Sequence, residues 1–214
     1  MTGPVPDAFR SMPLIAILRG LDPDQAGPAA RALSDGGIRL VEVPLNGPRP
    51  LQAIGGLART PELVTGAGTV LSAEDVRHAL DAGARFIVAP NFDPEVVGAA
   101  IDAGVPAIPG VATPTEAFAA LAAGAWALKL FPAEIIGPAG LKALKAVLPA
   151  PTRLIPVGGV GTETVALWRQ AGAAGAGLGS ALFKPGIAAG ALKARAEAAV
   201  AAWSGRCGKE EEQE

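Results

Sequence analysis

Short apolar runs alternate with alanine-rich amphipathic stretches along almost the whole chain, one pair roughly every 20 to 25 residues. Runs of this length are typical of strands buried on both faces, and the stretches between them have helical spacing. The strand candidates are Leu14–Leu18, Leu40–Val43, Leu63–Gly66, Phe86–Ala89, Ala107–Ile108, Ala127–Phe131, Leu154–Val157 and Gly177–Leu178. The helix candidates are Pro23–Asp35, Pro48–Ala58, Ala73–Ala82, Pro94–Ala103, Pro114–Ala123, Pro138–Val147, Glu163–Ala171 and Ile187–Ala202.

The ends of these helix candidates carry matching signals. Thr113 precedes Pro114, and Glu116 lies three residues after the threonine, which is the pattern of a capped helix start. Ser72 and Thr162 are predicted to cap two other helices. Several candidates stop at a glycine suited to a left-handed C-cap, namely in the pair Gly36–Gly37 and at Gly83, Gly104 and Gly124.

Eight strand–helix units without a break in composition predict an α/β fold, a (β/α)8 TIM barrel in a single domain. The 214 residues lie near the lower end of that fold's size range. A doubly wound open sheet is the structural alternative, and it would bind its ligand where the strand order reverses. We expect the barrel over residues 1–204, with a short helix in Pro4–Met12 closing its bottom, and a disordered polar tail over residues 205–214.

Composition and charge exclude several classes of function. A net charge of −2 with scattered arginines leaves no basic face for nucleic acid. The only histidine is His78 and the only cysteine is Cys207, so the usual zinc ligands are missing, whereas an all-oxygen magnesium site stays open in principle. No uncharged apolar run approaches the roughly 18 residues that span a bilayer, and no secretory leader opens the chain. We therefore expect a soluble cytoplasmic protein without a metal, a cofactor, a membrane partner or an internal disulfide.

Lys129 stands within the apolar strand candidate Ala127–Phe131, whereas the other lysines lie in helical, glycine-proline or tail contexts. An ammonium group is costly to bury unless it is paired or loses its proton, and burial lowers the pKa of a lysine. A neutral amine is the form that attacks a carbonyl to give a Schiff base. Alternation along the strand puts Lys129 on the inward face with Ala127 and Phe131. The alternative is a strand-end lysine whose head group reaches water.

Two further charged residues lie at the ends of strand candidates. Glu42 ends the second strand, and beside an amine a carboxylate can move protons as a general acid or base. Arg19 ends the first strand and is followed by Gly20, so it can hold a substrate carboxylate through two parallel hydrogen bonds. Ordinary ion pairs are the alternative, between Glu42 and Arg39 or Arg19, or between Arg19 and a surface acid.

Glycine-rich segments follow the last two strand candidates. Gly158 and Gly159 come after the seventh strand, and Gly179 and Ser180 come after the eighth. In barrels these two loops form the recurrent phosphate site, with backbone N–H groups directed at the anion. The pattern therefore favours a phosphorylated ligand, with ordinary glycine turns as the alternative.

Three residues complete the predicted site. Thr69 lies on a glycine-lined loop after the third strand, where a ligand can approach the backbone. Pro90 and Phe131 lie at strand ends, where they could wall the pocket and keep water from the lysine. Plain core packing is the alternative for both.

Together these motifs resemble the KDPG/KDPGal aldolase family, whose members cleave 2-keto-3-deoxy-6-phospho-sugar acids to form pyruvate. The most specific motif is Leu128–Ala133, and the supporting ones are Val41–Asn46, Gly66–Val70 and Pro156–Val160. The resemblance implies that Lys129 forms the Schiff base and that Glu42 donates and accepts protons. It also implies a phosphorylated keto-sugar acid as the substrate and a homotrimeric assembly.

One departure from the family pattern indicates which branch of the family the chain resembles. In gluconate-type members an arginine four residues after the glutamate grips the pyruvate carboxylate, but here Asn46 is at that position. With Arg19 on the first strand, the chain resembles the galactonate-type members, which implies that Arg19 and Thr69 orient the carboxylate end of a phosphogalactonate substrate. The gluconate epimer remains open. From the residues alone, so do a phosphate-binding barrel isomerase or epimerase and a non-catalytic phosphometabolite-binding protein.

Overall fold

The computed structural model describes residues 3–205, which form an α/β fold in which every strand pairing is parallel. The predicted α/β class is therefore confirmed. The strands in this range are β1 Leu14–Ile17, β2 Leu40–Pro44, β3 Val64–Gly68, β4 Ile87–Val88, β5 Ala107–Ile108, β6 Gly110–Val111, β7 Leu128–Leu130, β8 Leu154–Pro156 and β9 Ala176–Leu178.

The strands lie in two sheets, one with the order β5-β4-β3-β2-β1-β9 and one with the order β6-β7-β8. The division falls at Pro109, which has no N–H to donate to a neighbouring strand. Hydrogen bonds continue on both sides of it, because Trp126 N donates to Ala107 O and Lys129 N donates to Pro109 O, both at 2.9 Å. Across the other junction, an isolated parallel bridge joins Val157 to Gly177. Within residues 3–205, the eight predicted strands are thus observed as nine segments in two sheets.

The parallel register brings the strand ends that carry polar groups to one edge of the sheets. Glu42 on β2 pairs with Ile17 on β1 and with Gly66 on β3, and Lys129 on β7 pairs with Gly110 on β6. Because parallel strands end at the same edge, the loops that follow them also meet there.

The helices in the described range match the predicted positions to within a few residues in most cases. The helices are α1 Pro4–Ser11, α2 Ala26–Asp35, α3 Pro50–Leu57, α4 Ala73–Asp81, α5 Pro94–Asp102, α6 Pro114–Ala122, α7 Ala133–Val147, α8 Val165–Gln170 and α9 Ala189–Ser204, with a 3-10 turn at Pro23–Gln25. The capping box of α6 is present in both directions between Thr113 and Glu116. Ser72 caps α4 by accepting from the N–H of Asp75 at 3.1 Å.

Two predicted helix starts are wrong. The helix α7 begins at Ala133, ahead of the predicted Pro138, because one helical turn precedes a break at Gly137, where φ is 69°. The helix α8 begins at Val165 with Thr164 as its N-terminal flanking residue, not with Thr162 as the cap. The Thr164 hydroxyl accepts from the N–H of Gly161 at 3.0 Å and so closes the turn before the helix.

The apolar core has two parts. The outer cluster lies between strands and helices and includes Val41, Leu128 and Leu130. The inner cluster joins side chains from both sheets and from α1, and its buried members are Val5, Phe9, Ile15, Leu40, Phe86, Val88, Ile108, Ala127 and Ile155. The helix predicted in Pro4–Met12 therefore contributes to the interior, where the Phe9 ring meets Trp126 edge-on at 5.2 Å.

Within residues 3–205 no helix is both long and apolar enough to cross a membrane. The predicted polar tail lies outside the described residues from position 206 onward. Gly205, the last described residue, ends α9 in a left-handed conformation with φ of 73°.

Candidate active site

Lys129 lies in β7 and is only 6% exposed. Its neighbours Leu128 and Leu130 pack in the outer cluster, and Ala127 packs in the inner cluster, so the side chain of Lys129 points inward as alternation predicts. The Lys129 Nζ lies 4.6 Å from the centroid of the Phe131 ring. An aromatic face at that distance attracts a cation and also displaces water from the amine.

Glu42 points inward from β2 and is 3% exposed. Its Oε2 atom is buried without a hydrogen-bond partner, an arrangement that is rare in folded proteins and costly in free energy. Gly68 lies on β3 two residues beyond Gly66, the partner of Glu42, and a Cβ added at Gly68 would come 2.6 Å from Cδ of Glu42. Gly68 therefore leaves the space that this carboxylate occupies.

Burial shifts the pKa values of both groups toward their neutral forms. Burial raises the pKa of the Glu42 carboxyl above its usual 4.5, and the positive charges of Lys129 and Arg19 hold back part of that rise. Burial lowers the pKa of the Lys129 ammonium below its usual 10.5; the negative charge of Glu42 opposes this shift and the charge of Arg19 adds to it. The three charges therefore act on one another.

Glu42 and Lys129 line the same narrow cavity, which has room for about one water molecule. The rest of its lining is apolar and consists of Ile15, Ile17, Val88, Ile108, Ile155, Val157 and Gly177. An amine and a carboxylate in a dry cavity can form a covalent adduct with a carbonyl compound and move protons to and from it.

Arg19 is exposed directly after β1, and its Nη1 donates to Oδ1 of Asn46 at 2.7 Å. Among residues 3–205, Arg19 forms no ion pair with a carboxylate within 4.0 Å, and Glu42 forms none with a cationic side chain. Arg39 donates instead to the backbone carbonyls of Ser34 and Ile38, at 2.8 and 3.0 Å. The ordinary ion pairs that the sequence left open are thus not formed in the described part of the chain.

Thr69 follows β3 with a backbone φ of 54°. A β-branched residue in the left-handed region is an outlier and costs on the order of 1–3 kcal/mol. Such strain is concentrated at functional sites, where the surrounding structure holds a residue in place. The backbone of Thr69 is therefore fixed at the edge where Arg19 also lies.

The two glycine-rich loops follow neighbouring strands, β8 and β9. Gly158 and Gly159 have φ values of 106° and 64°, which only glycine adopts without strain. In the next loop the carbonyl of Gly179 accepts from the N–H groups of Leu182 and Phe183, both at 2.9 Å, and Ser180 is exposed. The structure therefore brings the predicted phosphate-binding residues to adjacent turns.

The two predicted wall residues, Phe131 and Pro90, both lie at strand ends outside the lining of the narrow cavity. Phe131 is half-buried and contacts Lys129 through its ring. Pro90 is half-buried beyond β4, with its carbonyl group packed against Gly110, and it does not line the cavity of Glu42 and Lys129.

Sequence reasoning missed three residues that the structure brings to the site. The sequence pattern marks Asn46 only as the position of a missing arginine, and Gly68 only as part of a glycine-rich loop. Glu134, in the first turn of α7, overlies the glycine pair, because a Cβ added at Gly158 would come 3.2 Å from its Cδ. The position of Asn46 four residues after Glu42 was the one available signal.

Elsewhere in the described residues, no group of three or more His, Cys, Asp or Glu side chains is placed to hold a metal ion. A cavity of about 500 Å³ lies between the 3-10 turn and the loop before α9, lined by Asp22, Gln25 and mostly apolar residues. It contains neither Lys129 nor Glu42.

Comparison with known proteins points to one group of enzymes. Residues 5–198 match the family model described as KDPG and KHG aldolase. A 2-dehydro-3-deoxy-6-phosphogalactonate aldolase of Escherichia coli (strain K12) is 49% identical over 177 residues, covering 82% of this chain and 86% of its own. A protein of Rhizobium meliloti (strain 1021) named "Probable 2-dehydro-3-deoxy-6-phosphogalactonate aldolase" is 44% identical over 202 residues, 94% of each chain. A solved structure described as "Native KDPGal structure" superposes with a TM-score of 0.88 at 45% identity, covering 91% of this chain and 95% of that one.

Proposed function

Since the chain belongs to the KDPG and KHG aldolase family, we propose that it cleaves 2-dehydro-3-deoxy-6-phosphogalactonate to pyruvate and D-glyceraldehyde 3-phosphate. The chain is a carbon–carbon lyase, not the phosphosugar isomerase or the binding protein that the residues alone left open. The 6-phosphogluconate epimer is the alternative substrate within the family.

The observation that carries the catalytic assignment is the shared cavity of Lys129 and Glu42. Lys129 is buried, and burial lowers its pKa, so a larger fraction of the amine is neutral and nucleophilic at a given pH. Glu42 has an unpartnered oxygen in the same cavity, where a substrate hydroxyl or a water can bind. These two groups supply the nucleophile and the proton carrier of a Schiff-base aldolase.

The reaction begins when the neutral Lys129 amine attacks the C2 ketone, and loss of water gives an iminium that withdraws electrons from C3. Glu42, directly or through one water, removes the proton of the C4 hydroxyl. The C3–C4 bond then breaks, glyceraldehyde 3-phosphate leaves, and the bonding electrons form an enamine. Glu42 returns a proton to C3, and hydrolysis of the iminium frees pyruvate and Lys129.

The remaining site residues bind the two ends of the substrate. We assign the carboxylate end to the Arg19 guanidinium and the Thr69 loop, and the phosphate to Gly158, Gly159, Gly179 and Ser180. Binding at the phosphate, far from the bond that breaks, can orient the reacting carbon at the amine. Phe131 and Pro90, at strand ends, wall the pocket and keep water from the lysine.

We further propose that residues 1–204 form one closed (β/α)8 barrel that assembles as a cytoplasmic homotrimer. The hydrogen bonds that pass Pro109 and the bridge between Val157 and Gly177 support closure. Exposed apolar side chains support assembly, among them Ile135 at 79% and Phe118 at 45% exposure. Light scattering of the purified protein measures the mass, and a monomer at micromolar concentration would contradict the trimer.

Borohydride reduction in the presence of pyruvate tests the mechanism. We expect one stable adduct, located on Lys129 by peptide mass spectrometry. Lys129→Met should abolish labelling, whereas Lys142→Met, which removes an exposed helical lysine, should leave it intact. A wild-type enzyme that turns over without an adduct on Lys129 would reject the Schiff-base assignment.

A coupled assay of pyruvate release tests the substrate. The galactonate and gluconate epimers differ only at C4, so each is supplied over the same range of concentration. The proposal predicts the higher kcat/KM for the galactonate epimer. A higher value for the gluconate epimer would assign the chain to the other branch of the family.

A further inference from the structure

Asn46 makes the one side-chain hydrogen bond that the Arg19 guanidinium has within the described part of the chain. A guanidinium can only donate, so the Asn46 amide must present its oxygen to Arg19. The amide nitrogen, with two N–H groups, is then directed elsewhere, and within residues 3–205 no protein group accepts from it. Asn46 is exposed, so these donors are accessible to a ligand.

The two residues are held together by their backbones as well. A Cβ added at Gly47 would lie 3.4 Å from the backbone N of Gly20, so the segments 46–47 and 19–20 are in contact. The Leu18 N–H also donates to the Glu42 carbonyl at 2.9 Å, which fixes the ends of β1 and β2 beside each other. Asn46 thus has a defined position next to Arg19.

A second arginine in the same loop region shows why an amide partner matters. Arg49 is bound by two acids, with its Nη2 2.9 Å from Asp22 and 3.8 Å from Asp24. These two acids therefore compete with an incoming anion for the Arg49 guanidinium. Arg19 is oriented by a neutral amide and keeps its charge available for an incoming anion.

We propose that Asn46 is a positioning and specificity residue for the substrate carboxylate, which it serves by orienting Arg19 without neutralising it and by adding its own amide N–H donors. This inference rests on the proposed function, because it takes the carboxylate end of the keto acid to bind at Arg19. It assigns a positive role to the position at which gluconate-type members have an arginine.

Two substitutions separate this role from a purely structural one. Asn46→Asp keeps an oxygen for Arg19 but adds a negative charge, whereas Asn46→Ala removes both the oxygen and the N–H donors. We expect KM for the keto-acid substrate, and the inhibition constant of pyruvate, to rise about 10- to 100-fold in both variants, with kcat changed much less. If Asn46 only holds Arg19 in place, Asn46→Asp should retain the wild-type KM, and that result would overturn the proposal.

Asn91→Asp is the matched control, since Asn91 is also exposed and also follows a strand at the same edge. An equal rise in KM in that variant would show a general effect of charge and would overturn the assignment. A double-mutant cycle with Arg19→Ala measures the coupling: we expect Asn46→Ala to raise KM less in the Arg19→Ala background than in the wild type, because only the contribution of its own N–H donors is then left to lose. Additive effects would refute positioning through Arg19. Absence of pyruvate release by the wild type would instead reject the proposed function, so the two failures are distinguishable.

Discussion

The inward faces of the strands are packed in two different ways in two regions. At the α1 side, the inner cluster fills the space with aliphatic and aromatic side chains such as Phe9, which also closes against Trp126. Around Lys129 the same faces carry an amine, a carboxylate with an unpartnered oxygen and a cavity. The first arrangement stabilises the fold, and the second is costly in any protein that does not use it.

The difference teaches that the α1 end of the inward faces stabilises the fold and the end with Glu42 and Lys129 carries the chemistry. Both regions share the apolar residues Ile15, Val88, Ile108 and Ile155. Buried charges are seldom retained for stability, because apolar residues of similar volume fold as well or better. A site that holds Glu42 and Lys129 together is therefore kept for chemistry. Substitutions in the two regions should affect turnover and stability in opposite ways.

Replacing both charges, as Glu42→Gln with Lys129→Met, should produce the largest effect. Turnover should fall by at least about 10⁴-fold, the scale observed when a catalytic nucleophile is removed. The free energy of unfolding should rise because two buried ionisable groups are gone, but by less than the roughly 1–4 kcal/mol of an apolar replacement, since the introduced amide is itself buried and polar. Coupled pyruvate assays and urea unfolding measure the two quantities. A variant that is inactive and also less stable would contradict the division of roles.

Phe9→Ala should have the reverse effect. Truncation of a buried phenylalanine leaves a cavity and should lower the free energy of unfolding by about 3 kcal/mol. Under conditions where the variant is folded, kcat/KM should stay within a few-fold of the wild type, because Phe9 does not line the cavity of Glu42 and Lys129. A large loss of kcat at full folding would show that the inner cluster also positions the active site.

Gly68→Ala tests how tightly the Glu42 carboxylate is positioned. The added Cβ would overlap that carboxylate, and a displacement of about 1 Å can reduce a rate about 100-fold. We expect kcat to fall by that order, with borohydride labelling of Lys129 retained. Gly98→Ala is the control, since an added Cβ there meets no atom within 4 Å and the residue is helical. Unchanged kcat in Gly68→Ala would show that the carboxylate is free to move.

The pH dependence of stability isolates the buried amine. Between the lowered pKa of Lys129 in the folded state and its usual 10.5, the unfolded chain binds more protons, so the free energy of unfolding rises with pH. Glu42→Gln removes the negative charge that raises the pKa of Lys129. The substitution should therefore widen the pH range over which the free energy of unfolding rises. The free energy of unfolding of this single variant is compared with that of the double variant Glu42→Gln with Lys129→Met. The single variant should show an extra positive slope against pH of up to about 1.4 kcal/mol per pH unit. Equal slopes would mean that the amine titrates normally in the folded state.

Local patterns predicted the strand faces and hence the inward placement of Lys129 and Glu42, because alternation and apolar neighbours fix which side of a strand is buried. They also placed the glycine loops at one edge, since parallel strands end together. The break between the two sheets at Pro109 does not follow from the local pattern. Proline lacks an N–H, and whether that interrupts a sheet depends on the strand that lies beside it. The contacts of Gly68, Asn46 and Glu134 join residues from different strand ends, and no periodicity within one segment encodes them.

Glu134→Gln should have the smallest effect on activity of these substitutions. It tests the part of the catalytic region that we assign to the substrate phosphate. The Glu134 side chain lies against Gly158 and Gly159, where its negative charge opposes that of a bound phosphate. Glu134 is exposed, so removing the charge should lower KM for the phosphorylated substrate by only about 2- to 5-fold.

Glu95→Gln is the matched control for this last variant, because Glu95 is also exposed in the first turn of a helix, α5, that follows a strand. It should leave KM unchanged, and neither variant should alter KM for an unphosphorylated keto acid. A rise in KM for Glu134→Gln would mean that the carboxylate helps to hold the substrate. A fall that is equal for phosphorylated and unphosphorylated substrates would place its effect at the carboxylate end. Only a fall confined to the phosphorylated substrate assigns the anion to the glycine pair beneath Glu134.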